Sequence, residues 1–144
     1  MWKAPFPMLA AAVLAGGTLP AVPPGGRWEF DGSLRDAPRR EHHGKSPAAG
    51  FVPVDGGQAL AAGVTVLVPD DPALRLAPHL RLQCRFRLAA QPGTTQVLIT
   101  KDREYLLRVD WAQENATLSF FVYLDGQWEP RLRSLIPETG TWYT

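Results

Sequence analysis

Carboxylates are the natural place to look for chemistry in this chain, and their spacing argues against catalysis. Retaining glycoside hydrolysis needs two carboxyl groups about 5–5.5 Å apart, which a strand supplies when acids alternate along it. No Glu-x-Asp-x-Glu run occurs. Asp102 and Glu104 are two apart but have no third acid beside them, and Asp110, Glu114 and Glu129 are scattered. Ser33 and Ser46 lack a nucleophile-elbow setting, and there is neither a phosphate-binding loop nor a dinucleotide fingerprint. His42 and His43 are adjacent in a polar stretch, where a solvated loop explains them better than a shared metal. The lone cysteine, Cys84, excludes an intramolecular disulfide and reads as a small buried hydrophobe. The expectation is a protein that is not an enzyme.

Binding is better served than catalysis. Arg81, Gln83, Arg85 and Arg87 alternate with apolar residues and can share a polar sheet face with Arg108. Phe121 and Tyr123 point away from the apolar row of their own segment. Polysaccharide recognition uses this mixture: sugar C–H faces stack on aromatic rings while hydroxyls bond to planar, charged donors. Arg85, Arg108, Phe121 and Tyr123 are therefore the candidate ligand-binding residues. The competing reading is a solvated sheet face on which Arg stems cover aromatic edges.

The elements that must position these groups are strands. Residues 80–88 read Leu-Arg-Leu-Gln-Cys-Arg-Phe-Arg-Leu, a strict alternation that puts Leu80, Leu82, Cys84, Phe86 and Leu88 on one face. Burying that row is worth roughly 1.5–3 kcal/mol per large side chain and fixes its register, which predicts a central strand. Shorter strands are expected over 51–54, 64–68 and 97–100. Residues 104–111 and 118–124 form an expected hairpin, followed by a weak strand within 128–136. Gly (13) and Pro (14) are spread between the apolar runs, which suits short strands and turns and disfavours long helices. The segment 33–50 has no period and reads as a long loop. Many turn-punctuated strands predict an all-β antiparallel sandwich.

Residues 1–26 are set apart. Met1-Trp2-Lys3 precedes an apolar run over 6–14 and a Pro23-Pro24-Gly25-Gly26 linker, the layout of a secretory signal peptide. Cleavage is expected after Ala21, and the run is too short to span a bilayer as a helix. A disordered tail or a membrane tether is the rival reading. Export would make the protein secreted or extracytoplasmic, at the cell surface or in the periplasm. The net charge of +1 falls to zero without Lys3, so nothing steers the chain to nucleic acid or to an anionic membrane.

Several pieces then fall into a known order. Trp28-Glu29-Phe30-Asp31-Gly32 with Leu34 and Asp36 is followed by Gly56-Gly57-Gln58-Ala59-Leu60 and the alternating strand. Leu98-Ile99-Thr100-Lys101, Tyr105-Leu106-Leu107-Arg108-Val109, Pro137, Gly140 and Trp142-Tyr143 complete it. From residue 27 onward the chain resembles the concanavalin A-like lectin/glucanase superfamily, in particular the laminin-G-like jelly-roll domains of exported bacterial proteins. The resemblance implies a domain over 27–144 that binds carbohydrate or an extracellular protein. A glucanase-like hydrolase and a structural or adhesive surface domain are the alternatives. It also implies calcium as the candidate ion, with Asp31, Asp36, Asp70 and Asp71 as the available loop oxygens, although each also serves as a turn residue. Further strands are expected after the Trp-Tyr pair of such domains. On that comparison the chain holds the front portion of a jelly roll, and self-association through an open sheet edge is expected.

Overall fold

The computed structural model describes residues 8–10, 25–36, 42–75, 80–134 and 137–144. Two antiparallel sheets form a sandwich-like, all-β arrangement. The first contains five strands in the order β2 (Phe51–Val54), β3 (Gly57–Leu60), β1 (Met8–Ala10), β4 (Phe86–Leu88) and β9 (Trp142–Tyr143), and the second is a sequential four-stranded meander.

The second sheet follows closely from its sequence. β5 (Gln96–Lys101), β6 (Tyr105–Val109), β7 (Leu118–Leu124) and β8 (Gln127–Arg133) follow one another, with short turns after β5 and β7 and a longer connection over 110–117, containing the 3₁₀ turn Ala112–Glu114, after β6. Asp125 and Gly126 sit at φ +50° and +82° between β7 and β8. Two successive positive φ values are the geometry of a two-residue hairpin loop, and Asp-Gly is the dipeptide that tolerates it. That loop sets the register Leu124↔Gln127 and Tyr123↔Trp128. The expected hairpin of β6 with β7 is present, with Leu107 opposite Phe120 and Arg108 opposite Ser119.

The first sheet is more fragmentary. β2 (Phe51–Val54) and β3 (Gly57–Leu60) form a hairpin across Asp55-Gly56, with Gly56 at φ +89°. β4 (Phe86–Leu88) lies between β1 (Met8–Ala10) and β9 (Trp142–Tyr143). The nine-residue strand expected over 80–88 is thus shortened to three. Its neighbours explain this: β1 has three residues and β9 two, so residues 80–85 run beyond the reach of both ladders. Outside the ladder the alternation weakens: Cys84 is buried and Arg81 exposed, but Leu80, Leu82, Gln83 and Arg85 are all half-buried. The segment 64–68 behaves the same way, touching its partner through the single bridge Lys45↔Leu67. Met8–Ala10, which falls in the leader-like stretch, has its backbone in this sheet between β3 and β4.

The core joins the two sheets. Cys84, Phe86 and Leu88 of the first pack with Val109 of the second, flanked by Phe30, Leu98, Ile99, Leu107, Leu118 and Tyr143. Phe86 and Tyr143 stack with ring centroids 5.8 Å apart. Because these side chains face inward, Arg85, Arg87 and Trp142 lie on the outer face of the first sheet. Arg108, Ser119, Phe121 and Arg131 lie on the outer face of the second, by the same alternation.

Candidate functional site

The outer face of the β5–β8 sheet is built around a buried carboxylate. Asp110 follows the last residue of β6 and is fully buried. Its Oδ1 accepts a hydrogen bond from Arg108 Nε at 2.8 Å. Its Oδ2 accepts from Thr117 Oγ1 at 2.8 Å, from Ser119 Oγ at 2.5 Å and from Arg131 Nη2 at 2.5 Å. Burial pushes the Asp110 carboxyl up. The donors from Ser119, Thr117, Arg131 and Arg108 outweigh burial and bring its pKa down to about 2. Glu114, at the water edge of the cluster, accepts from Arg108 Nη2 at 3.4 Å and Arg131 Nη2 at 3.2 Å.

Phe121 sits beneath this cluster. The Arg108 and Arg131 guanidinium carbons lie 4.6 and 4.9 Å from its ring centroid, and the residue is 5% exposed. Its ring is therefore a floor under two cations and is not open to a sugar. Toward the β7–β8 turn the face changes character. Tyr123 and Trp128 are opposite one another in the ladder, both half-buried, with ring centroids 5.1 Å apart and planes at 64°. This edge-to-face pair is the aromatic surface that water reaches.

Of the four candidate ligand residues, Arg108, Phe121 and Tyr123 do share a face. Arg85 does not join them. Its guanidinium lies 4.7 Å from the Trp142 ring centroid on the outer face of the other sheet, with Arg87 at 5.1 Å from the same ring. Arg85 immediately precedes β4 of the first sheet and Arg108 lies in β6 of the second, so alternation aims them to opposite sides of the core.

The four candidate calcium residues occupy separate settings. Asp31 Oδ1 accepts from Gln58 N at 2.9 Å, tying the opening segment to β3. Asp70 pairs with Lys101 and with Arg75, and its pKa is lowered chiefly by the hydrogen bond from Lys101. Asp71 caps the 3₁₀ turn Pro72–Leu74, accepting from Ala73 N at 2.7 Å, which lowers its pKa. Asp36 is fully buried and accepts from Arg27 N and His42 N at 2.9 and 3.3 Å. His42 links two of the four: Nδ1 is 3.1 Å from Asp36 Oδ2 and Nε2 is 3.4 Å from Asp71 Oδ1. The residue is 3% exposed, so the solvated-loop reading of the His pair does not hold for His42. Its backbone carbonyl accepts from Trp28 Nε1 at 2.7 Å, which helps anchor the long loop. Among the described residues, no three His, Cys, Asp or Glu side chains are grouped to hold a metal ion.

Comparison with protein-family models, curated proteins and solved structures found no match to this chain.

Three residues of the outer face escaped the sequence reading. Trp128 was legible in principle, because a two-residue Asp125-Gly126 loop places it opposite Tyr123. Arg131 does not follow from that loop, whose register alone would set Pro130 opposite Phe121; a register shift between Phe121 and Tyr123 brings Arg131 there. Asp110 gave no signal, since a carboxylate after a strand is most often a turn residue.

Proposed function

We propose that this chain is an exported, non-catalytic recognition module of the laminin-G-like, concanavalin A-like jelly-roll type, and that it binds carbohydrate on the outer face of the β5–β8 sheet. The reading rests on one observation: a half-open Tyr123–Trp128 pair stands on the same face as two guanidinium groups held by buried and edge carboxylates. Arg108 and Arg131 are already oriented by Asp110 and Glu114, so a ligand hydroxyl meets donors that lose little freedom on binding. The aromatic pair supplies the stacking surface and the guanidinium edges supply planar donors. Within this reading Phe121 supports the site from below and does not contact the sugar.

The test is a glycan array followed by affinity measurement on the best ligand. Tyr123→Ala and Trp128→Ala each weaken binding by about tenfold or more, as expected for loss of a stacking contact of roughly 1–2 kcal/mol. Arg85→Ala leaves it unchanged. Equal affinities in the wild type and both aromatic variants would move the site off this face. Export is checked separately: N-terminal sequencing of secreted material is expected to begin near residue 22.

A further inference from the structure

β8 is an edge strand of its sheet, and the register along it changes once. Leu124 and Tyr123 pair with Gln127 and Trp128, whereas Phe121, Phe120 and Ser119 pair with Arg131, Leu132 and Arg133. Two steps along β7 from Tyr123 to Phe121 answer three along β8 from Trp128 to Arg131, so β8 carries one extra residue, a β-bulge at Glu129-Pro130. Alternation from Trp128 without that residue would put Pro130 and Leu132 on the outer face and turn both arginines inward. With it, Trp128, Arg131 and Arg133 share the outer face, opposite Tyr123, Phe121 and Ser119. The three pairs differ in charge. The aromatic pair at one end is neutral. In the middle, the Arg131 and Arg108 guanidinium groups are matched by the Asp110 and Glu114 carboxylates. Arg133 at the far end is exposed, and among the described residues it makes no hydrogen bond, ion pair or ring contact. This part of the face therefore carries one uncompensated positive charge, four residues or about 13 Å along β7 from the aromatic pair.

We infer that the glycan taken by this face is acidic, with a carboxylate or sulfate group seated at Arg133 and a neutral sugar ring stacked on Tyr123 and Trp128. The inference rests on the carbohydrate reading and adds to it the charge of the ligand and the direction in which it lies. An anionic group gains little at the centre, where Asp110 and Glu114 already hold both guanidinium groups and Glu114 repels it. Neutral hydroxyls suit that centre. Arg133 has its planar fork open for two parallel bonds to the oxygens of a carboxylate or sulfate. The separation exceeds one sugar ring, so the stacked sugar and the charged one are different units of one chain. The bulge brings the free guanidinium to the aromatic side, and stacking and charge are thus read by one strand.

An array that carries each hexasaccharide backbone in neutral, uronate and sulfated forms tests this on the full chain. The strongest ligand is expected to be a uronate or sulfated form, bound about two- to fivefold more tightly than its neutral partner, the range of one exposed ion pair. Preference for either acidic form supports the inference and identifies the source of the charge. Arg133→Gln, checked for folding by circular dichroism melts, is expected to bring the acidic-to-neutral ratio to about one, because the ion pair is lost. Equal or tighter binding of the neutral form by the wild type, or an acidic preference that survives Arg133→Gln, would overturn the inference. If Tyr123→Ala still weakens binding in that case, the carbohydrate reading stands without it. No binding to any form, or binding indifferent to Tyr123→Ala, would overturn both.

Discussion

Asp110 places a charge entirely out of water and offsets the cost by gathering donors from Arg108, Thr117, Ser119 and Arg131. The sign of its pH effect follows. Its folded pKa, about 2, lies below the ordinary 3.8, so its contribution is complete above 3.8. It declines as pH falls between those values and is gone below about 2, a loss of roughly 2 kcal/mol. Acid titrations of stability are expected to show this step in the wild type and not in Asp110→Asn, which is itself less stable at neutral pH. Phe121 and Tyr123 separate support from recognition on one strand. Phe121→Ala should cost about 3–5 kcal/mol in stability because its ring is buried under two guanidinium groups. Tyr123→Ala should cost far less, and chemical denaturation of the two variants checks the contrast. Cys84 belongs to the same scale. Burial raises its thiol pKa to about 11, so it should resist a thiol reagent in the native state and react fully once unfolded.

At the scale of elements, the second sheet was legible and the first only partly so. β7 spans Leu118–Leu124 as its alternation predicts, because local pattern and a two-residue loop point to the same register. Residues 80–88 carry the strongest alternation in the chain yet form three residues of ladder. Periodicity reports which side chains turn inward, and Cys84, Phe86 and Leu88 are buried as expected while Leu80 and Leu82 are only half-buried; ladder length depends on partners far away in sequence, which no local pattern records. The loop over 33–50 shows the same limit. Its polar composition reads as solvated, but Asp36 and His42 satisfy each other out of water, and a pairing of that kind leaves no periodic trace. The candidate site was read in outline: Arg108, Phe121 and Tyr123 share a face, whereas Arg85 was assigned to it on the assumption that one sheet carried both arginines.

At the scale of the whole molecule, the sandwich covers its centre better than its margin. Leu132 is opposite Phe120 in the ladder, on the side of β8 that faces inward, yet it is 66% exposed, and Leu124 is 49% exposed. Apolar surface beside an edge strand favours association. Concentration-dependent self-association is expected in size-exclusion chromatography, and Leu132→Lys should reduce it without lowering the melting temperature. A monomer at all concentrations would remove the edge from the account.

The central claim is that recognition takes place on the outer face of the β5–β8 sheet, and it is tested most directly by one comparison. Affinity for the strongest array ligand is measured for the wild type, Tyr123→Ala, Trp128→Ala and Arg85→Ala, with circular dichroism melts confirming that each is folded. The predicted result is a loss of about tenfold or more in the two aromatic variants and no change in Arg85→Ala. Wild-type affinity in both aromatic variants, or a loss confined to Arg85→Ala, would contradict it.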